Sequence, residues 1–128
     1  MPRDAVLDAS AVLSLVQGES GAERVAACIP GALISAVNLA EVVGKLAEAG
    51  MPRDDIDLAL SGLGLRVAPF DEGGAYAVGM LRRATRAQGL SLGDRACLSL
   101  GVASGLVVLT ADRAWCAVNL DAQVELIR

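Results

Sequence analysis

Residues 105–110, GLVVLT, form an uninterrupted apolar run rich in β-branched side chains, entered through a glycine and leading straight to Ala111 and Asp112. A strand with no polar residue on either side must be covered on both faces, which is the signature of a parallel sheet between layers of helix. Shorter strand signals occur at Ala5–Leu7, in ALISA (32–36), at Leu65–Phe70 and in the C-terminal VELI (124–127). Helical spacing of apolar residues predicts helices between them: residues 9–16, Ser20–Cys28, Asn38–Ala49, a helix opened by Met51-Pro52, and Glu72–Gln88 with Tyr76, Met80, Leu81 and Ala84 on one face. A further helix starts at Ser91, and a short one is expected around Trp115. Strand and helix in alternation predict a three-layer α/β fold.

A chain of 128 residues makes one domain, here 1–128, with no linker rich in Pro, Gly or Ser to divide it. Hydrophobic residues are 54% and charged residues 20%, so disorder is excluded for any long segment. The longest charge-free runs, Val25–Ala40 and Ala96–Ala111, are broken by Pro, Gly, Asn or Ser and fall short of the ~20 apolar residues that span a bilayer. Arg3 is followed by an apolar stretch that Asp8 interrupts, a poor signal peptide. Cys28, Cys97 and Cys116 are odd in number and have no Cys-x-x-Cys spacing. They are expected to be buried small hydrophobes in a reducing cytoplasm, with no membrane association.

There is no histidine, which removes Ser/His/Asp and Cys/His catalysis, histidine bases and histidine metal ligands together. What stands out instead is four carboxylates that interrupt or border apolar runs: Asp8 in VLDAS, Glu41 in NLAEVV, Asp94 in LSLGDRACLSL and Asp112 in LTADRAW. Each has an ordinary explanation. Asp8 or Ser10 can cap a helix, Ser91 and Asp94 fit a capping box, Asp112 can cap the helix at Trp115, and Glu41 can lie on a solvated face. Together they say more. Ligands of an open parallel sheet bind outside the carboxyl ends of its strands, where strand order reverses. Asp8 and Asp112 follow two such ends, and Asp94 and Glu41 lie near helix starts that can face the same edge. Acids so placed must be neutralised by arginine, by protonation or by a metal ion.

Oxygen ligands without histidine or thiolate suit a hard cation, Mg²⁺ or Mn²⁺. Such an ion activates water and offsets charge on a phosphoryl group, which makes phosphodiesters the natural substrate. Ser10 and Thr110, beside the strand ends, are candidates to orient ligands or water. The net charge of −4 opposes generic polyanion binding. However, Arg82, Arg83, Arg86, Arg95 and Arg113 cluster in one stretch, and Arg95 and Arg113 each directly follow a candidate acid. Arg86, Arg95 and Arg113 are therefore candidate phosphate contacts on a basic rim. With aromatics at 2%, base stacking is nearly excluded, so contact is expected through backbone and shape.

The segments VLDASAVLSLV, NLAEV, GLSLGDRACLSLG and VVLTADRAW, in this order and over essentially the whole chain, resemble the PIN-domain nucleases, most closely the VapC-type toxins of bacterial toxin-antitoxin pairs. The resemblance implies a PIN-like fold with a central, mainly parallel five-stranded sheet and a Mg²⁺- or Mn²⁺-dependent endoribonuclease acting on RNA. It places Asp8, Glu41, Asp94 and Asp112 on the family's catalytic, metal-holding acids and Thr110 on its hydroxyl position. Relatives carry another acid shortly after the last of these; here Asn119 stands there, with Asp121 nearby. A homodimer is also implied, inhibited by a VapB-type antitoxin whose C-terminal segment occupies the groove. The alternatives are a non-catalytic PIN-like interaction or regulatory subunit, a receiver-like domain, or a DNA-directed nuclease of the same fold. A receiver is disfavoured because Lys45, the only lysine, lies mid-helix.

Overall fold

A computed structural model describes residues 4–118 and 120–128. Five parallel strands form one sheet: β1 (Ala5–Leu7), β2 (Leu33–Ser35), β3 (Arg66–Ala68), β4 (Val107–Thr110) and β5 (Val124–Leu126). Their order is β3-β2-β1-β4-β5, so the chain reverses its direction of travel across the sheet between β1 and β4. Leu7 pairs with Leu109 there, and the Asp8 N–H continues the ladder by donating to the Leu109 carbonyl. The crevice expected of such a sheet therefore opens beyond Leu7 and Thr110.

Helices α1 (Ala9–Gln17), α2 (Ala22–Ala26), α3 (Ala36–Glu48), α4 (Arg53–Ser61), α5 (Glu72–Ala84) and α6 (Leu92–Ser104) complete the layers, with 3-10 turns at Arg86–Gln88 and Arg113–Ala117. The core is split by the sheet as the period-2 alternation of strands requires. Ala5, Leu7, Ile34 and Leu109 pack with Val12, Val42 and Leu46 on the α1 and α3 side. Val6 and Val108 pack with Cys97, Leu98 and Trp115 on the α6 side. Helix α6 comes close to β4 because Gly101 has no side chain: a Cβ there would collide with Val108 Cγ2. Gly105 then ends α6 in the left-handed region at φ 70°, a conformation glycine adopts without strain, and turns the chain into β4.

Several sequence expectations need correction. The helix expected over 72–88 ends at Ala84, because Thr85 leaves helical geometry before the 3-10 turn. Tyr76 and Met80 share one face of α5, and that face is turned to solvent. They are 73% and 77% exposed, and of the thirteen residues of α5 only Val78 is buried. Periodicity places residues on one face without saying which face meets the protein. The segment at Trp115 is a 3-10 helix, and the sheet is wholly parallel. Cys28 and Cys97 are buried as expected, but Cys116 is exposed.

Candidate active site

The capping explanations and the convergence of the acids both hold. Asp8 caps α1, its Oδ1 accepting from the Ala11 N–H at 2.8 Å and from Ser10 Oγ at 2.7 Å. Asp94 closes the capping box of α6, Oδ2 accepting from the Ser91 N–H at 3.0 Å while the Asp94 N–H donates to Ser91 Oγ at 3.1 Å. Asp112 caps the 3-10 turn, accepting from the Ala114 N–H at 2.9 Å. Each helix start thus holds a carboxylate where the backbone N–H groups and the helix dipole favour it.

The three caps and Glu41 of α3 line one cavity of about 450 Å³ at the carboxyl ends of β1 and β4, together with Ser10, Asn38, Lys45 and Arg128. Thr110 and Ser10 stitch its floor. Thr110 Oγ1 donates to Asp8 Oδ2 at 2.6 Å and accepts from the Asp112 N–H at 3.0 Å, and Ser10 Oγ accepts from the Ala111 N–H at 3.0 Å. The turns after β1 and β4 are locked to each other by these two hydroxyls.

Burial pushes the Asp8 carboxyl above the usual carboxylate range. The hydrogen bonds from Thr110, Ser10 and Ala11 pull it down, and the charge of Asp94 adds to the upward push. Cys97, beneath the cavity on α6, is held protonated chiefly by burial and further by the charges of Asp8, Asp94 and Glu41. Three acids from three elements thus act on one buried thiol. That thiol is inert as a nucleophile.

The donor set fits a hard cation. None of the four acids belongs to an ion pair among the described residues, whose pairs are Arg24–Glu125, Arg66–Asp4 and Arg128–Glu19. Glu41 Oε2, Asp94 Oδ1 and Asp112 Oδ2 accept no hydrogen bond among the described residues. The carboxylates stand around the cavity rather than meeting at a point. Among the described residues no three Asp, Glu, Cys or His side chains are gathered as tightly as an ion's coordination shell.

The arginines divide. Arg95 is 6% exposed and donates to the Val78 carbonyl at 3.0 Å, tying α6 to α5, so it is withdrawn as a phosphate contact. A residue following a cavity-facing acid on a helix is turned ~100° away from it, here into the protein. Arg86 and Arg82 line a separate concavity with Thr85, Gly89 and Leu90. Arg113 is exposed but does not line the acidic cavity. The cations that do line it, Lys45 and Arg128, are missed by the sequence reasoning. Lys45 had a signal, since it lies four residues after Glu41 and shares its helix face. Arg128 had none; it is placed by Nη1 contacts to Ser14 Oγ at 2.9 Å and the Ser20 carbonyl at 3.0 Å. Asn38 was missed as well. Asn119 lies outside the described residues, and Asp121 is exposed and does not line the cavity.

Comparison with known proteins bears on the family and the fold. The family model of the PIN domain matches residues 5–120. No curated protein matches the sequence. The fold is similar to a DNA-bound VapBC from Salmonella typhimurium, with a TM-score of 0.76 at 18% identity over 98% of this chain and 99% of that one. It is similar to a toxin-antitoxin complex from Klebsiella pneumoniae, with a TM-score of 0.76 at 19% identity over 98% of each chain. A VapBC2 from Rickettsia felis bound to a promoter DNA fragment gives 0.71 at 17% identity, over 95% of this chain and 97% of that one. With the family model spanning all four motif segments, from β1 to the turn after β4, this chain belongs to the PIN domain family.

Proposed function

We propose that this chain is a Mg²⁺- or Mn²⁺-dependent endoribonuclease that hydrolyses RNA phosphodiester bonds in the cytoplasm as the toxin of a toxin-antitoxin pair. One observation carries the reading: Asp8, Glu41, Asp94 and Asp112 line a single cavity at the switch point of the sheet, and none of them is held in an ion pair among the described residues. RNA as substrate, rather than DNA, is supported by the resemblance to VapC-type toxins.

The four carboxylates would hold the ion. When bound, a hard divalent cation supplies positive charge against the developing charge of the phosphoryl group and makes water a better nucleophile. The chain's own residues do the rest. Asp8 is the fixed member, its two oxygens held by Ser10, Ala11 and Thr110. Asp94 and Asp112 are pinned through one oxygen each and leave the other to the cavity. Glu41 Oε2 and Asp94 Oδ1 are the atoms able to take a proton from attacking water. Lys45, one turn from Glu41 on the cavity wall, can bind a non-bridging phosphate oxygen and bring the backbone over the acids.

Partner binding has two candidate surfaces. An apolar groove of about 520 Å³ between α3 and α4, lined by Leu39, Val43, Met51, Ile56 and Leu60, suits an amphipathic segment of a VapB-type antitoxin. Its α3 residues, Leu39, Val43 and Ala47, are turned ~180° from Glu41 and Lys45, so the groove lies on the face of α3 away from the acidic cavity and would anchor a partner without filling that cavity. The exposed face of α5 suits a second copy of the chain. Total RNA incubated with the protein and Mn²⁺ should be cut at discrete positions, and chelator or Asp94→Asn should abolish the cuts. Cleavage of single-stranded DNA but not RNA would overturn the substrate assignment, and cleavage unaffected by chelator would overturn the metal.

A further inference from the structure

Asn38 sits in the first turn of α3 and is 1% exposed, yet it lines the acidic cavity. Its Nδ2 donates to Glu41 Oε1 at 2.8 Å and to the Gly93 carbonyl of α6 at 3.0 Å. Two acceptors on one amide atom fix its orientation, because the flipped amide would set Oδ1 against both. The remaining Oδ1 is buried without a hydrogen-bond partner among the described residues. For stability alone this is a poor choice: asparagine is a weak helix former, and a half-satisfied buried amide costs more than an apolar side chain.

The other side of the contact is shaped to match. Gly93 is buried in the first turn of α6, immediately before Asp94, and a Cβ on it would overlap the Glu41 carboxylate. Helix α6 is therefore bare at the one place where the glutamate lies against it. The side chain of Asn38 bridges this contact, one donor arm on the carboxylate and one on the backbone carbonyl beneath it.

We propose that Asn38 and Gly93 form a clamp that presets the Glu41 carboxylate beside Asp94, with Asn38 as a positioning residue of the acidic site; this rests on the nuclease reading above. Glu41 is the only one of the four acids that caps no helix, so no backbone N–H of a helix start fixes its carboxylate. The clamp does for Glu41 what the caps do for the other three. Residues of this kind tune a metal site through the ligand they hold.

The test uses the full chain freed of metal, with Mn²⁺ as probe and electron paramagnetic resonance to count free ion. Asn38→Ala and Gly93→Ala should each weaken Mn²⁺ binding by ~10–100-fold, the usual range for loss of a ligand's outer partner. They should lower kcat on RNA while KM stays within about two-fold. In a Glu41→Ala background neither should weaken Mn²⁺ binding further, because no carboxylate is left to place. Equal losses in both backgrounds, or unchanged Mn²⁺ affinity in either variant, would overturn the clamp. If Asn38→Ala does not fold, Gly93→Ala and its pairing with Glu41→Ala decide the question. If neither single variant folds, the two residues are structural supports and the clamp is overturned. A wild-type chain that takes up no Mn²⁺ defeats the nuclease reading itself, an outcome separate from a clamp that fails in a metal-binding protein.

Discussion

Thr110 donates a 2.6 Å hydrogen bond to Asp8 across the junction of β4 and β1, between two buried side chains from opposite ends of the chain. The same hydroxyl accepts from the Asp112 N–H, so one oxygen sets both the fixed carboxylate and the turn that carries another. Thr110→Val keeps the shape and removes both bonds. It should destabilise the protein by ~1–3 kcal/mol, the cost of unsatisfied buried partners. Urea denaturation measures this, and cleavage by the folded variant should drop at least about ten-fold. A variant as stable and as active as wild type would show the bond to be incidental.

Asp8 also gives a pH dependence. Burial raises its pKa in the folded chain, so the folded state binds the proton more tightly than the unfolded one. The stability this contributes is present at low pH and is lost as pH rises through the elevated folded pKa. At about pH 7.5 the metal-free protein therefore carries a buried charge that Asp8→Asn removes. In chelator, Asp8→Asn should melt higher than wild type near neutrality, and the gap should close as pH falls towards the ordinary aspartate value of ~3.9. Thermal melts across pH test it. A lower melting temperature for the variant at neutral pH would mean that its lost hydrogen bonds outweigh the relief of charge.

A cation that binds only the folded state must stabilise it. Mg²⁺ or Mn²⁺ at about 100 times its Kd should add ~2.7 kcal/mol, read as a rise in melting temperature. Asp94→Asn should remove most of that rise while keeping the capping box of α6, since the amide oxygen can still accept from the Ser91 N–H. An equal rise in the variant would take Asp94 out of the ion's surroundings.

Much of this was legible in the sequence for definite reasons. The wholly apolar GLVVLT run announced a strand covered on both sides, and Val108 and Leu109 do pack into opposite halves of the core. Asp8, Asp94 and Asp112 were legible twice over, as caps and as acids against apolar runs, because a helix start at a strand's carboxyl end makes both demands. The orientation of α5 was not. Its apolar residues keep helical spacing, but a spacing is the same whether a face meets its own core or another surface. Asn38 was invisible because a buried amide and a surface amide are the same letter. Arg95 misled because adjacency in sequence to Asp94 is divergence on a helix.

The arginines can be separated by salt. Arg95 is spent on the Val78 carbonyl, so Arg95→Met should lower stability and leave the salt dependence of RNA binding unchanged. If Lys45 meets a phosphate, Lys45→Gln should weaken RNA binding and reduce the slope of log K against log salt by roughly one contact's share, about 0.7 for a single strand. Fluorescence anisotropy with inactive Asp8→Asn as host measures both. A slope altered by Arg95→Met but not by Lys45→Gln would reverse the assignment.

Helix α5 carries the remaining prediction. Tyr76 and Met80 stand out beside Ala75 and Gly79, so one face offers both projections and the hollow to receive them. Such a surface can pack on a copy of itself about a two-fold axis. Antiparallel packing would also bring the acidic start of one helix, Asp71 and Glu72, over the basic end of the other, Arg82 and Arg83. Light scattering after size exclusion should find a dimer. Met80→Glu should convert it to a monomer, because two copies of the new charge would meet in an apolar seam. Both side chains are mostly exposed within one chain, so the monomer itself should lose little, within ~0.5 kcal/mol for a surface position. High salt should weaken the dimer if the helix-end charges contribute. A wild-type monomer at tens of micromolar, or a dimer indifferent to Met80→Glu, would show that α5 is covered by something other than its own copy.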